Sequence, residues 1–500
     1  MDAGTLPTRR GGVARALDAV EAVGNRLPDP LTLFVGLAVG VLVLSWLGAR
    51  VGLAVAHPGT GEPVTVDNLL DREGLRRMLT EAVKNFAAFP PLPTVLVATM
   101  GIGVAERSGL FAALLRQLVM TVPRAWLTAA FIFAGVNASL ASDAGFVVLV
   151  PLGGVLFASV GRHPLAGLVA AYAAIAGGFS ANLAVTALDP LLAGMTEAGA
   201  RLVDTQAVVH PTANYLFMAA SVLPITIVGT WVTTRIVEPR LGTWRPHEPV
   251  AALGPLDPAG RRALKGAGVA LGLGMCAVAA LTVPIQGVLR DDAGTLAPFY
   301  QGLVPVLTGL FLVPGLVFGV MTGTIRSDRD IAKMATDAVS TMGNYILLAF
   351  VASQFVAYFA WTHLGIVTAV RGADALRQVG FTGVPLLVVF VGFTSIVDLF
   401  IGSASAKWAI FAPVFVPMFM LLGFTPETVQ AAYRVGDSIT NPITPFLPYF
   451  PLLLTFARRY DPAIRLGTLL AVMLPYTVAI AIVWTLVLGA WVWLGWPMGF

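Results

Sequence analysis

Long apolar runs are the feature that most constrains what this chain can fold into. Five of them approach or exceed the roughly 20 residues that a helix needs to cross a bilayer: 31–47, 267–283, 303–322, 346–361 and 468–493. Only 12% of the residues are charged and 57% are hydrophobic, whereas soluble domains carry about 25% charge. Because lipid-facing backbone must hydrogen-bond within its own segment, and because barrel strands would be only about 10 residues long, the runs predict transmembrane helices.

Basic residues beside the apolar runs predict the topology. Lys and Arg concentrate in cytoplasmic loops, and four arginines precede the first run: Arg9, Arg10, Arg15 and Arg26. We therefore expect a cytoplasmic N-terminus. No short apolar core with a small-residue cleavage site follows these arginines, so a removable signal peptide is not expected. The basic loop 235–265 is predicted to be cytoplasmic as well.

Two apolar stretches carry polar residues at their middle and are predicted to be re-entrant hairpins. The first, about 124–160, contains NASLASDAG, and the second, about 382–423, contains IGSASAKW. With the other stretches counted as crossings, the prediction is an all-α membrane protein of nine transmembrane helices plus two hairpins. Two full crossings with Asp143 in an external turn remain an alternative for the first stretch, because both versions give the same topology downstream.

Each hairpin and the span after it form one unit, 124–195 or 382–455, and the units match in spacing. In both, one proline follows another by 13 positions: Pro151 and Pro164, then Pro413 and Pro426. The polar stretches GGFSANLAVTALDP and YRVGDSITNPITPFLP are the predicted breaks in the two spans. Since the first unit starts inside and the second outside, they are predicted to be inverted repeats with broken helices. Chance is the alternative, because the chain has 34 prolines.

The hairpin tips and the breaks are where a binding site is expected. Irregular backbone at membrane depth is tolerated only where it is buried in protein or lines a cavity, and free helix ends attract ions and anionic groups. Oxygen-bearing side chains suit a hard cation such as sodium. Such side chains at the tips and breaks are Asn137, Ser139, Ser142, Asp143, Asn182, Ser403, Ser405, Ser438 and Asn441. For each serine taken alone, a hydrogen bond back to its own helix is the simpler interpretation.

Charged residues inside spans are stronger indicators, because each costs at least about 2.5 to 3.5 kcal/mol. Arg434 and Asp437 lie three positions apart, so they share a helix face and could form a structural pair. The functional alternative has Arg434 holding a substrate carboxylate and Asp437 binding a cation or carrying a proton. Asp189 has no basic neighbour within a turn and is predicted to bind an ion or a proton.

Three further candidates surround the second tip. Asp398 lies five residues before the tip in an otherwise apolar helix and is predicted to bind the coupling ion or a proton. Lys407 could pair with Asp398 or attract an anion. Trp408 could stack on an aromatic substrate ring, with ordinary packing as the alternative.

The stretch DLFIGSASAKWAIFAPVFVPMFMLLGFTPETVQAAYRVGDSITNPITPFLPYF resembles the AbgT family of p-aminobenzoyl-glutamate transporters. The resemblance extends back through GGFSANLAVTALDPLLAG and covers essentially the whole chain. It implies a homodimer in a bacterial inner membrane, with nine spans and two re-entrant hairpins per protomer. It also implies functional roles for Asp189, Ser405, Trp408, Pro426, Arg434, Asp437 and Pro445. The family pattern has asparagine where this chain has Asp398, and the added charge leaves the coupling ion open.

Residues and resemblance together predict an ion-gradient-coupled secondary transporter for p-aminobenzoyl-glutamate-like aromatic carboxylates, with sulfonamide export as a family-linked activity. The coupling ion is expected to be sodium or protons, and no cofactor or nucleic-acid partner is expected. No ATP-binding GxxxxGK motif followed by Ser or Thr appears.

Two other functions are alternatives to transport. A passive anion channel is one. The other, an intramembrane aspartyl protease using Asp189 and Asp437, is disfavoured because RVGD places Arg434 where such enzymes have glycine, and because a nearby arginine opposes the shared proton of a catalytic dyad.

Overall fold

The protein is a bundle of α-helices, shown here by a computed structural model that describes most of the chain. The described residues are 30–56, 61–89, 91–120, 123, 126–141, 143–244, 256–284, 286–292, 294–340, 342–444, 447 and 449–500. The helices are α1 (Pro30–Val51), α2 (Arg72–Ala87), α3 (Pro91–Arg107), α4 (Leu110–Met120), α5 (Leu127–Val136), α6 (Asp143–Ser159), α7 (Pro164–Gly177), α8 (Leu188–Ala200), α9 (Tyr215–Val232), α10 (Glu238–Leu241), α11 (Pro258–Thr282), α12 (Ala297–Gln301), α13 (Leu303–Thr322), α14 (Asp328–Ser340), α15 (Gly343–Trp361), α16 (Leu364–Gln378), α17 (Gly383–Asp398), α18 (Ala404–Leu421), α19 (Pro426–Ile439), α20 (Phe450–Arg458) and α21 (Leu466–Trp493). Two short strands, β1 (Ala54–Ala56) and β2 (Pro63–Thr65), pair antiparallel after α1.

Six helical segments within the described residues are long and apolar enough to cross a membrane. They are Phe34–Val51, Tyr215–Leu241, Pro258–Thr282, Leu303–Thr322, Ala404–Leu421 and Gly467–Trp493. A further pair, Ile346–Trp361 and Leu364–Gln378, would form one span bent by 72°. The prediction of an α-helical membrane protein is confirmed, while the count of nine spans plus two hairpins stays a prediction.

Capping side chains set the start of the helices that carry the candidate site. The side chain of Thr425 accepts a hydrogen bond from the backbone N–H of Thr428, and Pro426 takes the first helical position of α19. Ser403 caps α18 in the same way by accepting from the N–H of Ala406. Both arrangements satisfy a backbone donor that would otherwise be unpaired at a helix start.

Each of the two predicted hairpins is a pair of helices with a short connection between them. In the first, α5 and α6 are joined through a 3₁₀ turn, Asn137–Ala141. In the second, α17 ends at Asp398 and α18 begins at Ala404. With 18 residues, α18 is about 27 Å long and could cross the membrane alone. Entry and exit of each hairpin on one side therefore stay a prediction.

Two helical segments are interrupted within the stretches that the sequence marks as breaks. Helix α7 ends at Gly177, residues 178–187 are largely irregular, and α8 begins at Leu188. Helix α19 ends at Ile439, a 3₁₀ turn spans Asn441–Ile443, and α20 begins at Phe450. Pro442 lies in that turn, where its missing N–H and its ring prevent α19 from continuing.

Glycines let each interrupted segment pack closely against a neighbouring part of the fold. A Cβ added to Gly436 of α19 would lie 1.7 Å from Oγ1 of Thr394 in α17, so only glycine fits there. A Cβ added to Gly177 would lie 3.1 Å from Cγ of Pro442. The end of α7 therefore lies directly against the turn that follows α19, and the two breaks meet.

Candidate functional site

Arg434 joins the two interrupted segments. Its side chain is buried, and Nη1 donates to Oδ1 of Asp189 at 2.5 Å while Nη2 donates to the carbonyl oxygen of Ser180 at 3.2 Å. Ser180 lies in the break between α7 and α8, and Asp189 lies in the first turn of α8. A guanidinium of the second unit thus bonds to both sides of the first unit's break.

The pair of Arg434 with Asp437 that their spacing allowed is absent from the structure. Side chains three positions apart on a helix diverge by about 60° around the axis. Arg434 turns toward Asp189, whereas Asp437 forms an ion pair with Lys407 at 2.7 Å. Arg434 and Asp437 therefore each take a partner from a different neighbouring segment.

Asp189 is held from two directions. Its Oδ2 accepts hydrogen bonds from the backbone N–H of Thr186 at 2.5 Å and from the Thr186 hydroxyl at 2.8 Å. Its Oδ1 accepts from Arg434. The sequence showed no basic residue near Asp189, and the structure supplies one from 245 positions away.

Two buried polar atoms where the breaks meet have no hydrogen-bond partner among the described residues. They are Nε of Arg434 and Oγ of Ser180. Leaving a buried polar atom unpaired costs about 1 to 3 kcal/mol, and more for a charged group. Such atoms call for an explanation, and a ligand that pairs with them is one.

Lys407 forms a buried charge cluster at the second tip. Its Nζ contacts Oδ1 of Asp398 and Oδ1 of Asp437, and all three side chains are 2% exposed or less. Oδ2 of Asp398 also accepts from the hydroxyl of Thr440 at 2.7 Å. Of the two roles considered for Lys407, the structure contains the pair with Asp398.

Trp408 is fully buried and already has a ring partner. Its indole stacks on Tyr433 with ring centroids 4.4 Å apart, and its Nε1 donates to the hydroxyl of Thr196 at 2.9 Å. Thr196 donates in turn to Oε1 of Gln430 at 2.5 Å. A substrate ring could replace Tyr433 against the indole only if this junction opens.

Tyr433, Thr196 and Gln430 are not among the residues that the sequence predicts for the functional site. Gln430 lies one helical turn before Arg434 and on the same face of α19, which is a signal that could have found it. Tyr433 is next to Arg434 in the predicted break. Thr196 shows no local sign, since it lies in α8 beyond the polar stretch.

The first tip is tied to its own unit's break through neutral side chains. The hydroxyl of Ser139 donates to Oδ1 of Asn182 at 2.6 Å, and Oδ1 of Asn137 accepts from the backbone N–H of Leu183 at 3.0 Å. Ser142, the side chain of Asp143, and Pro445 lie outside the described residues.

The remaining candidates lie nearby with ordinary local contacts. Ser403 and Ser405 have their Oγ atoms 3.4 Å apart at the start of α18. The Ser438 hydroxyl donates to the carbonyl oxygen of Arg434 at 2.8 Å, the simpler interpretation for a helical serine. Asn441 is buried in the turn after α19.

Pro426 lies away from the guanidinium, and no cluster of metal-ligating side chains marks the site. Pro426 opens α19 eight residues before Arg434, about 12 Å along the axis. Within the described part of the chain, no group of three or more His, Cys, Asp or Glu side chains could hold a metal ion. The ion-binding and substrate-binding roles of all these residues stay predictions.

Buried charges where interrupted helices meet, inside an apolar bundle, are typical of membrane transport proteins. Comparison with known proteins gives the particular family. Residues 15–500 match the AbgT putative transporter family, and the chain belongs to it. The resemblance seen in the sequence is thereby confirmed.

Known relatives and solved structures agree with this assignment. The p-aminobenzoyl-glutamate transport protein of Escherichia coli (strain K12) is 38% identical over 483 residues, which cover 96% of this chain and 95% of the relative. The YdaH transporter of Alcanivorax borkumensis, solved by crystallography, is 42% identical with a TM-score of 0.89, covering 95% of this chain and 100% of that one.

A second similar structure is that of a protein described in connection with efflux. MtrF of Neisseria gonorrhoeae is 42% identical with a TM-score of 0.91, covering 95% of this chain and 97% of that one, and is described as illuminating a class of antimetabolite efflux pumps. The family consists of transporters and not of enzymes, so the chain is a membrane transporter and the protease alternative is wrong.

Proposed function

We propose that this protein is a secondary transporter that couples movement of p-aminobenzoyl-glutamate-like aromatic carboxylates to a sodium or proton gradient across a bacterial inner membrane. The name of the Escherichia coli relative supports this substrate class. Sulfonamide antimetabolites are a second cargo in the proposal, supported by the description of the gonococcal efflux pump. The observation that carries the proposal is the buried guanidinium of Arg434, whose Nε has no partner among the described residues.

A carboxylate fits the free side of this guanidinium. Arginine binds carboxylates through two parallel N–H donors, and in Arg434 only the two Nη atoms are engaged, by Asp189 and by the Ser180 carbonyl. The unpaired hydroxyl of Ser180 adds a donor at the same junction. The carboxylate of Asp189 accepts from Nη1 of this guanidinium, and in the proposal a substrate carboxylate binds beside it or replaces it.

In the proposal, an aromatic ring of the substrate binds at the neighbouring junction of α8, α18 and α19 once that junction opens. The stack of Trp408 on Tyr433 lies there, and Tyr433 is adjacent in the chain to Arg434. A substrate with a ring and a carboxylate, such as p-aminobenzoyl-glutamate, would place the ring against the indole and the carboxylate on the guanidinium.

Substrate access requires a conformational change. Arg434 and Trp408 are buried in this structure. A groove of about 920 Å³ between α17 and α21 reaches Thr440, and Arg434 does not line it. In the proposed cycle the units rock against each other, with the breaks as hinges, so that the guanidinium faces one side of the membrane and then the other.

Counterflow of p-aminobenzoyl-glutamate in proteoliposomes tests the binding role of Arg434. Arg434→Lys keeps the charge and loses the planar fork, and we expect exchange to fall by at least about tenfold, since a charge-assisted hydrogen bond contributes about 1.5 to 3 kcal/mol. Arg329→Ala, at an exposed arginine of α14, is the matched control and should leave exchange unchanged. Normal exchange by Arg434→Lys and Arg434→Ala would refute the binding role.

A further inference from the structure

The second tip holds a cation that is part of the protein. We propose that the ammonium of Lys407 occupies the position of a coupling cation at the second tip and thereby excludes sodium from it. The consequence for ion coupling rests on the proposed function, but the site itself can be tested without any transported substrate.

Lys407 brings three segments together at one point. Lys407 lies in the first turn of α18, Asp398 ends α17, and Asp437 lies in the last turn of α19. The ammonium contacts a carboxylate oxygen from each of the other two segments, and the three groups are at most 2% exposed. A sodium ion bound between Asp398 and Asp437 would have to use the same carboxylate oxygens that the ammonium contacts.

The groups bonded to the ammonium and to its carboxylate partners are oxygen atoms of the kind that bind a hard cation. Oδ1 of Asp398 and Oδ1 of Asp437 contact the ammonium, and Oδ2 of Asp398 accepts from the hydroxyl of Thr440 at 2.7 Å. The hydroxyl of Tyr433 lies 3.1 Å from Oδ1 of Asp437. Carboxylate and hydroxyl oxygens are the ligands that hard cations prefer, and here a lysine takes the place of the ion.

Lys407 is the cation that both carboxylates share. Arg434 is on the same helix as Asp437, but its guanidinium is engaged with Asp189. One ammonium therefore faces two buried carboxyl groups. Removing one partner of a buried ion pair strongly destabilises a protein, because the remaining charge is uncompensated, so a variant without the ammonium would gain stability from a mobile cation bound in its place.

The two tips differ in whether they hold a fixed positive charge. The described polar side chains of the first tip, Asn137 and Ser139, are neutral and bond to the break through amide and hydroxyl groups. A fixed positive charge is present only at the second tip among the described tip residues. Any sodium that the transporter uses would bind elsewhere than between Asp398 and Asp437.

Thermal unfolding of the purified transporter tests the inference. The melting temperature in detergent is compared between sodium chloride and choline chloride at equal ionic strength. Lys407→Ala should acquire a saturable, sodium-specific stabilisation beyond that of the wild type, amounting to about an elevenfold shift of the folding equilibrium at sodium about ten times its Kd. Lys407→Arg, which keeps a cation, and Lys333→Ala, at an exposed lysine of α14, should respond to sodium as the wild type does.

The double variant Lys407→Ala/Asp398→Asn should lose the acquired response, because it removes one of the two carboxylates. A Lys407→Ala protein no more sensitive to sodium than the wild type would overturn the inference. If Lys407→Ala does not fold, the sodium-dependent stabilisation of Asp398→Asn in the wild-type background tests the inference instead. A reduced sodium response in that variant would mean that sodium reaches this site with the lysine present, and would overturn the inference; an unchanged response supports it. Since no substrate is added, these results are independent of counterflow.

Discussion

At the scale of single residues, the central feature is a buried arginine that is only partly satisfied. Arg434 pairs with Asp189 across 245 positions of chain, and its Nε has no partner among the described residues. An arginine in the interior of a membrane protein is costly and almost always pairs with an acidic side chain or with backbone carbonyls. The ion pair therefore joins the two breaks, and the unpaired Nε is the donor that the proposed substrate carboxylate would use.

This pairing predicts an asymmetry between single and double substitutions. Asp189→Asn leaves the guanidinium buried and unpaired, so we expect it to destabilise the protein by about 3 to 5 kcal/mol. Asp189→Asn combined with Arg434→Gln removes both charges and should recover much of that loss. Apparent melting temperatures of the purified proteins would show it, and a double variant less stable than Asp189→Asn alone would contradict the pairing.

The candidate residues were predictable from sequence only where chemistry is visible locally. Arg434, Asp437 and Asp398 stand out because charges are rare in apolar runs. Asp189 and Lys407 stand out in the same way, and the pair of Lys407 with Asp398 is predicted. No local pattern shows that Asp189 pairs with Arg434, because the two residues come from different segments. Helical spacing suggested a pair of Arg434 with Asp437, yet the neighbours of α19 decided the actual contacts.

At the scale of elements, proline and polar residues in the sequence predict where the breaks and the tips lie. Helix α16, in contrast, could not be predicted from the sequence. The turn after α19 contains Pro442, and the tip before α18 begins with a capping serine. Helix α16 was not foreseen as an element, because its polar residues obscure an apolar face that buries Ile366 and Ala369. The bend before it is at His363, which has a φ of 58°, a conformation in which histidine is more frequent than most residues but which glycine would have indicated more clearly.

Contact between α17 and α19 predicts that one glycine cannot be replaced. In Gly436→Ala the new Cβ would meet Oγ1 of Thr394 at 1.7 Å and the carbonyl oxygen of Val391 at 2.6 Å. We expect a loss of about 1 to 3 kcal/mol, seen as a lower melting temperature. Gly392→Ala, on α17 with no atom within 4 Å of the added Cβ, is the matched control and should be neutral or stabilising by about 0.5 to 1 kcal/mol. Equal stability of the two variants would show that the helices do not approach this closely.

At the scale of the whole molecule, buried ion pairs make two connections. One joins the breaks of the two units, and the other joins the tip of the second unit to the break of the same unit through Lys407. Arg434 makes the first connection, and the Lys407 pairs with Asp398 and Asp437 make the second. Segments linked by a few buried charges can exchange partners when a substrate or an ion arrives. This arrangement suits alternating access, whereas a passive channel would need a continuous open path.

Accumulation of p-aminobenzoyl-glutamate against its own gradient in proteoliposomes of the purified protein tests the central claim most directly. Sodium and pH gradients are imposed separately and in both directions. The account predicts accumulation that requires one of these gradients, collapses when an ionophore dissipates it, and is abolished by Arg434→Ala but not by Arg329→Ala. Equilibration to equal concentrations under every gradient, at the same rate with and without an ionophore, would contradict it.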